Sequence, residues 1–145
     1  MQTRWYGAAL RRFIEGTLDW QANTIRVALL NQNFVPNLGA SDPLFSIAQG
    51  SQISGPGYTS GGRTLTNKLL GYSSTLLRTT LWADPAVWED STLTAHWALI
   101  YRDTGSALSS PLIAIAGDGS PVSSNLASLT VSWPNGVLQV SAVNS

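Results

Sequence analysis

The feature that most constrains this chain is a two-residue apolar period that recurs in short segments separated by turn residues. Successive side chains of a β-strand point to opposite faces, so the period predicts strands with one apolar face. Ile25, Val27 and Leu29 follow it in the first segment, Asn23 to Asn31. The later segments are Thr64 to Leu70, Leu76 to Trp82, Ser91 to Arg102, Pro111 to Ala116, Ser128 to Trp133 and Val137 to Ala142. Such short strands without helices between them predict an all-β fold, an antiparallel β-sandwich or a jelly-roll-like barrel.

The turns between the segments indicate how the strands connect. The sequence Pro134-Asn135-Gly136 lies between two alternating segments, and an Asn-Gly pair in that position favours a β-hairpin. We therefore expect the last two strands to pair with each other. The longest alternating run, Leu93 to Tyr101, is predicted to be a central strand.

The N-terminal segment has a different period. Leu10, Phe13 and Ile14 share one face of a short helix, and Gly16 supplies a left-handed cap. The segment has no unbroken apolar stretch of the kind that a signal peptide requires. Nowhere in the sequence do about 18 consecutive apolar residues occur, so no transmembrane helix is predicted.

A long stretch of breakers separates the first strand from the rest. Residues 33–62 are rich in Gly and Pro, and only Leu44 to Ala48 suggests a single helical turn. A loop of this length in a compact domain is typical of a functional loop or of an arm that a partner orders. We predict one domain over residues 1–145: an N-terminal helix or arm (1–22), a long irregular loop (33–62) and a β-rich body (63–145).

The composition narrows the classes of function. Eight Lys and Arg balance eight Asp and Glu, which gives no basic footprint for a nucleic acid. With no Cys and one His, His96, disulfides, thiolate metal sites and multi-histidine sites are excluded, and no cofactor is predicted. Charged residues are only 11% of the chain, so little charge repulsion opposes association with a partner.

Catalytic motifs are weak. The glycine cluster from Gly55 to Gly62 resembles a phosphate loop, but Arg63-Thr64 replaces the Lys-Ser/Thr pair and a strand pattern follows instead of a helix. We interpret it as a bend that leads into a strand. His96 lies in the middle of a strand, without a Gly-x-Ser-x-Gly motif in the sequence. The sequence predicts no catalytic residue, and we expect the protein not to be an enzyme.

Aromatic residues are the stronger clue, because Trp and other aromatic side chains dominate cores and interfaces. Trp5 and Trp20 lie outside the strand-rich half of the chain. We therefore predict that they anchor the N-terminal segment or a contact between subunits. The complete set of predicted interface anchors is Trp5, Phe13, Trp20, Leu44 and Phe45.

Several runs of the sequence occur together in a recognisable order. They are Phe13 to Trp20 with Thr24 to Leu30, Gly57 to Gly62, Leu65 to Asn67, Trp82 to Asp84 with Val87-Trp88, Thr94 to Gly105, and Ser110 to Ile113. In this order they resemble small virion structural proteins of tailed bacteriophages, and the likeness covers most of the chain. The low charge and the single lysine, Lys68, depart from that pattern.

The resemblance implies a non-enzymatic β-rich subunit of the virion. One use of such proteins is as capsid cement or decoration proteins, which sit as homotrimers on the outside of the shell and contact the major capsid protein. We therefore expect a location on the capsid exterior after synthesis in the host cytoplasm, with no nucleic-acid or membrane partner. The alternatives are a tail, neck or fibre subunit and a host-glycan-binding module.

Overall fold

The computed structural model describes residues 2–142, and 38% of the chain is in strands. One α-helix and twelve strands form in the described part, together with 3₁₀ turns at Phe45–Ile47 and Gln49–Ser51. In chain order the elements are β1 (Thr3–Trp5), α1 (Gly7–Glu15), β2 (Ile25–Leu30), β3 (Arg63–Thr64), β4 (Leu69–Ser73), β5 (Arg78–Trp82), β6 (Ala86–Ser91), β7 (Thr94–Ala95), β8 (Trp97–Arg102), β9 (Leu112–Ala116), β10 (Val122–Ser123), β11 (Ala127–Val131) and β12 (Leu138–Ser141).

A five-stranded antiparallel sheet holds the centre of the core. Its strand order is β1-β9-β8-β2-β3. Leu99 and Ile100 are neighbours on β8, so they point to opposite faces of the sheet, and both are fully buried. All five residues of β9 are buried as well. The prediction of a central strand in this region is confirmed, with β8 between β9 and β2.

A second, smaller sheet has the order β12-β5-β4, and two-stranded ladders join β11 to β6 and β10 to β7. Every strand pair is antiparallel. Within residues 2–142 no sheet closes on itself. The prediction of a β-rich antiparallel fold with a short N-terminal helix is therefore confirmed at this level.

Several predicted strands differ from the observed ones. The predicted segment Ser91 to Arg102 is interrupted at both ends of β7, and the predicted segment Thr64 to Leu70 is divided between β3 and β4. The predicted pairing of the last two strands is wrong, because β11 pairs with β6 and β12 pairs with β5. Gly136 turns the chain tightly against β5, where a Cβ would lie 2.2 Å from Thr80 Cγ2. The strand that follows Gly136, β12, therefore pairs with β5 and not with β11.

The N-terminal helix forms as predicted and ends at Gly16, whose φ of 83° is in the left-handed region. Ala9 is its fully buried residue, and the helix contacts β9. The sequence pattern did not indicate β1, which adds to the edge of the large sheet beside β9. Within the described residues no helix has both the length and the apolar character needed to cross a membrane.

The loop over residues 33–62 is largely irregular and lies against the body of the protein. Phe34, Phe45 and Ala48 are buried in the core, and the 3₁₀ turn at Phe45–Ile47 falls where a helical turn was predicted. Gly62 ends the loop with a φ of 81°, and a Cβ there would lie 1.8 Å from the carbonyl oxygen of Val27. Only glycine allows the chain to pass this close to β2.

Candidate interaction surface

An apolar groove of about 500 Å³ lies between α1 and the open face of the small sheet. Its helix side is formed by Leu10, Phe13 and Ile14, and its sheet side by Leu70 and Val140. The other residues that line the groove are Trp5, Leu18, Asp19, Trp20, Gln21, Thr79 and Leu81.

The sheet side follows from the register of three strands. Leu70, Leu81 and Leu138 lie in one row across β4, β5 and β12, and Tyr72, Thr79 and Val140 lie in the next row on the same face. Leu81 and Leu138 are buried, whereas Leu70 and Tyr72 are 53% and 67% exposed. The face is therefore covered at one end and open toward β4.

The helix side is held by an aromatic pair. The rings of Trp5 and Phe13 meet edge to face with centroids 5.6 Å apart. The indole Nε1 of Trp5 donates a hydrogen bond of 3.1 Å to the carbonyl oxygen of Gln139 in β12. The hydrogen bond from Trp5 to Gln139 links the helix side of the groove to the small sheet. Ile14, at the rim of the groove, is 87% exposed.

The open face continues onto the hairpin that joins β4 to β5. Leu76 and Leu77 are exposed in that turn, Leu69 is exposed on the other face of β4, and no charged residue occurs between Lys68 and Arg78. Leu77 adopts a left-handed φ of 50° in the turn. Contiguous apolar exposure of this kind marks protein–protein contact sites more often than scattered surface leucines do.

Asp19 is the charged residue among those that line the groove, and Lys68 lies close enough to it for their charges to interact. The ammonium of Lys68 donates a hydrogen bond to the carbonyl oxygen of Asn23. Burial lowers the pKa of Lys68, and the negative charge of Asp19 opposes that shift. The groove is thus polar at Asp19 and apolar along its length.

Two of the predicted anchors line the groove, and one forms its buried base. Trp5 and Phe13 are half-buried and contact each other. Trp20 is only 2% exposed, and its Nε1 donates a 3.0 Å hydrogen bond to the carbonyl oxygen of Trp82. Trp20 is a core residue that joins the N-terminal segment to β5, which is the first of the two predicted alternatives; the alternative of a subunit contact is corrected, because its ring is covered within its own chain.

The other two predicted anchors lie elsewhere. Phe45 is buried and stacks on Tyr101, with ring centroids 4.1 Å apart and planes 7° from parallel. Leu44 is half-buried and forms an isolated bridge with Pro111. The prediction of Phe45 as an interface anchor is corrected, because its ring is already covered within the same chain.

The sequence pattern missed the sheet side of the groove. One predicted strand ends at Leu70 and the next begins at Leu76, and the alternating period does not indicate that these side chains are exposed. The available signal was the uncharged run from Leu69 to Leu77, which contains four leucines and one tyrosine.

The glycine cluster and His96 form no comparable site. Gly62 leads into β3, and the Arg26 guanidinium donates hydrogen bonds of 3.2 Å and 2.7 Å to the carbonyl oxygens of Gly61 and Gly62. His96 is half-buried, and its Nδ1 has no hydrogen-bond partner among the described residues. No group of three or more His, Asp or Glu residues with the geometry to hold a metal ion occurs within residues 2–142.

No protein-family model, curated protein or solved structure matches this chain.

Proposed function

We propose that this chain is a non-enzymatic structural protein of a tailed-phage virion, a cement protein that binds as a homotrimer to the outer face of the capsid. The observation that carries the proposal is the apolar groove beside α1, which is continuous with the uncharged hairpin of β4 and β5. Several segments of the sequence resemble small virion proteins, and this resemblance is the reason for assigning the chain to a phage particle. In this proposal the sheets pack as two layers of a β-sandwich.

The chemistry of the groove fits a permanent protein contact. Stable interfaces bury apolar side chains at their centre and exclude charge from it. Ile14, Leu70 and Val140 are apolar and exposed, and the net charge of the chain is zero. The proposed occupant is an apolar segment of the major capsid protein, held between the helix side and the sheet side.

The mechanism is thermodynamic linkage. A protein that binds only the assembled shell stabilises that shell by an amount set by its affinity and free concentration. The rigid sheets provide the body, and the groove provides the contact that bridges neighbouring capsid subunits. Shell stability against internal DNA pressure rises with occupancy.

Cryo-electron microscopy of particles that carry this chain tests the proposal. We expect density in many copies at threefold positions on the capsid exterior. Density confined to the tail, neck or fibres, or no density in the particle, would overturn the cement assignment.

A binding assay with empty shells that lack this chain tests the groove. Ile14→Lys places a charge on an exposed groove residue, and we expect at least about a tenfold loss of affinity because the charge must be desolvated on binding. Leu108→Lys is the matched control, since Leu108 is 76% exposed and does not line the groove. Equal binding of both variants and the parent would exclude the groove as the capsid contact.

One observation favours host-glycan binding as the alternative. A second groove of about 610 Å³ is lined by Trp5 and Arg78 and by three residues with side-chain amides, Gln2, Asn135 and Gln139. Aromatic faces and amides are groups that bind sugars. Glycan-array binding that is lost in Gln139→Ala, together with no binding to shells, would favour this alternative over the cement role.

A further inference from the structure

Strand β4 is an unprotected sheet edge. It lies at the end of the order β12-β5-β4, and its register with β5 runs without a bulge from Leu69 to Ser73. Its residues are Leu-Leu-Gly-Tyr-Ser, so it carries no charge and no proline. Natural edge strands are usually short or protected by charge, proline or bulges, because an open edge pairs with other strands.

The hydrogen bonds of β5 show which backbone groups of β4 face outward. The carbonyl oxygens of Leu77 and Leu81 accept hydrogen bonds from the β12 side, from Ala142 and Val137. Because the direction of backbone groups alternates along a strand, Arg78, Thr80 and Trp82 face β4. Their partners Ser73, Gly71 and Leu69 therefore face β5.

It follows that the N–H and C=O groups of Leu70 and Tyr72 point away from the sheet. Within the described residues these groups have no backbone partner outside the ladder. The edge is open only here, since the Lys68 carbonyl just before it accepts a hydrogen bond from Gln21. The outward-facing residues are thus Leu70 and Tyr72, one on each side of Gly71.

The other long edges of the described sheets are better protected. The edges of the large sheet are β1 and β3, which have three and two residues and carry the exposed Arg4 and Arg63. The outer edge of β12 is occupied by the hydrogen bond from Trp5 to Gln139. The register of β11 is interrupted by a bulge. Strand β6 carries Glu89 and Asp90, so among the edge strands of the described residues β4 is the one that has five residues, no bulge and no charge.

The apolar area around this edge suits a protein interface. Leu69, Leu70, Tyr72, Leu76 and Leu77 are between 44% and 67% exposed. Each of the five therefore presents roughly half of its surface beside the strand edge, and a standard interface takes about 800 Å² from each partner. The backbone edge and the rim of the groove add to this area.

We propose that β4 pairs with β4 of a second copy of this chain, antiparallel and around a two-fold axis at Gly71. In that register Leu70 lies opposite Tyr72 of the second copy, and each such pair exchanges both of its N–H···O bonds. Gly71 lies opposite itself in a non-hydrogen-bonded pair, where backbones approach most closely. The spacing of the outward groups makes the edge complementary to itself, which is the property that selects a second copy as the occupant.

The two small sheets become one six-stranded sheet in this dimer. Directly opposed residues of an antiparallel pair lie on the same face, so Tyr72 of the second copy lies beside Leu70 at the mouth of the groove. The inference does not depend on the capsid assignment, because it concerns the free protein. If the chain is a trimer on the shell, the β4 contact joins neighbouring trimers across two-fold positions.

Charge variants test the pairing by light scattering after size-exclusion chromatography. For the parent protein we expect the measured mass to rise with concentration toward twice the 15.5 kDa chain mass.

The double variant Leu70→Lys with Tyr72→Lys places like charges opposite each other and raises the dimer dissociation constant at least about tenfold. The double variant Leu70→Lys with Tyr72→Glu places opposite charges there and dimerises more tightly than the Lys-Lys variant. Leu108→Lys is the control for added charge, and circular dichroism checks that each variant is folded.

Disulfide trapping tests the register, since the chain has no cysteine of its own. The proposed register places Leu69 opposite Ser73 of the second copy in a non-hydrogen-bonded pair, at a Cα separation of about 4.5 Å that a disulfide spans. A mixture of Leu69→Cys protein and Ser73→Cys protein is therefore expected to form a covalent dimer on oxidation. Neither variant alone is expected to do so at the same rate.

Three results would overturn the proposal. A monomer at all concentrations would exclude the contact, and an oligomer unaffected by the Lys-Lys variant would place the contact elsewhere. Equal trapping in the mixture and in the single variants would exclude the two-fold register. Shell binding by a protein with any of these results would leave the cement proposal standing, so the failures of the two proposals are distinguishable.

Discussion

The large and small sheets were both predicted from apolar segments, but they differ in how far their faces are covered. In the large sheet the neighbours Leu99 and Ile100 are both fully buried, so both faces are covered. In the small sheet Leu81 is buried, while Leu70 beside it in the register is 53% exposed. The comparison shows that apolar alternation specifies strands, whereas the number of layers packed over them decides which faces remain available for a partner.

The largest expected effect is at Trp20, which joins the N-terminal segment to β5 of the small sheet. Trp20→Ala removes a buried indole and its hydrogen bond to Trp82, and we expect a loss of about 4 kcal/mol in the free energy of unfolding. Urea unfolding of the free protein measures it. A variant as stable as the parent would contradict the placement of Trp20 in the core.

The next effect compares one leucine from each sheet. Leu99→Ala leaves a cavity in the core of the large sheet and is expected to cost about 3 kcal/mol. Leu70→Ala removes exposed surface and is expected to change the free energy of unfolding by less than about 0.5 kcal/mol. Denaturant titrations at protein concentrations too low for dimer formation measure the two changes. Similar losses of unfolding free energy in both variants would contradict the difference in how the two sheets are covered.

Alkaline pH acts on the buried tyrosines of the covered region. Burial raises the pKa of Tyr6 to about 12 and that of Tyr58 to about 12. Between pH 10 and 12 the unfolded chain loses these protons while the folded chain keeps them, so stability falls as pH rises. The slope is about 1.4 kcal/mol per pH unit for each tyrosine. Thermal unfolding from pH 8 to 12 measures the slope, which is expected to decrease in Tyr6→Phe; an unchanged slope would contradict this assignment.

The smallest effect distinguishes the two buried hydroxyl groups at neutral pH. The Tyr58 hydroxyl donates a 2.7 Å hydrogen bond to Gln52 and accepts one of 3.2 Å from the Leu29 N–H, so Tyr58→Phe is expected to cost about 1 kcal/mol. The Tyr6 hydroxyl has no partner among the described residues, so Tyr6→Phe is expected to be neutral or slightly stabilising. Matched urea titrations at pH 7 test this difference, and the reverse order would contradict it.

Local patterns predicted the elements that depend on neighbouring residues. The helix that ends at Gly16, the strand that contains Leu99 and the turn at Phe45–Ile47 each follow from a period or a capping residue. The pairing of the last two strands was not predictable in this way. The Asn-Gly turn favours a hairpin, but the contact of Gly136 with Thr80 depends on β5, which is far away in the sequence.

The candidate surface was predicted only in part, because it too depends on contacts between segments that are distant in the sequence. Trp5 and Phe13 are predicted anchors, and they meet at the groove. Trp20 and Phe45 are predicted anchors as well, yet both rings are covered by residues of their own chain. Aromatic character predicts that a ring is buried, but it does not indicate whether another part of the chain or a partner covers it.

The sequence by itself determined the β-rich class, the positions of most strands, the N-terminal helix and the charge balance, because these depend on residue type and spacing. Only the tertiary structure decided that α1 stands beside the small sheet, that β4 is an edge and that Leu70 and Tyr72 present their backbone groups outward. Exposure and edge position depend on which distant segments pack together, and the free energy of that packing is a property of the whole chain rather than of any one segment.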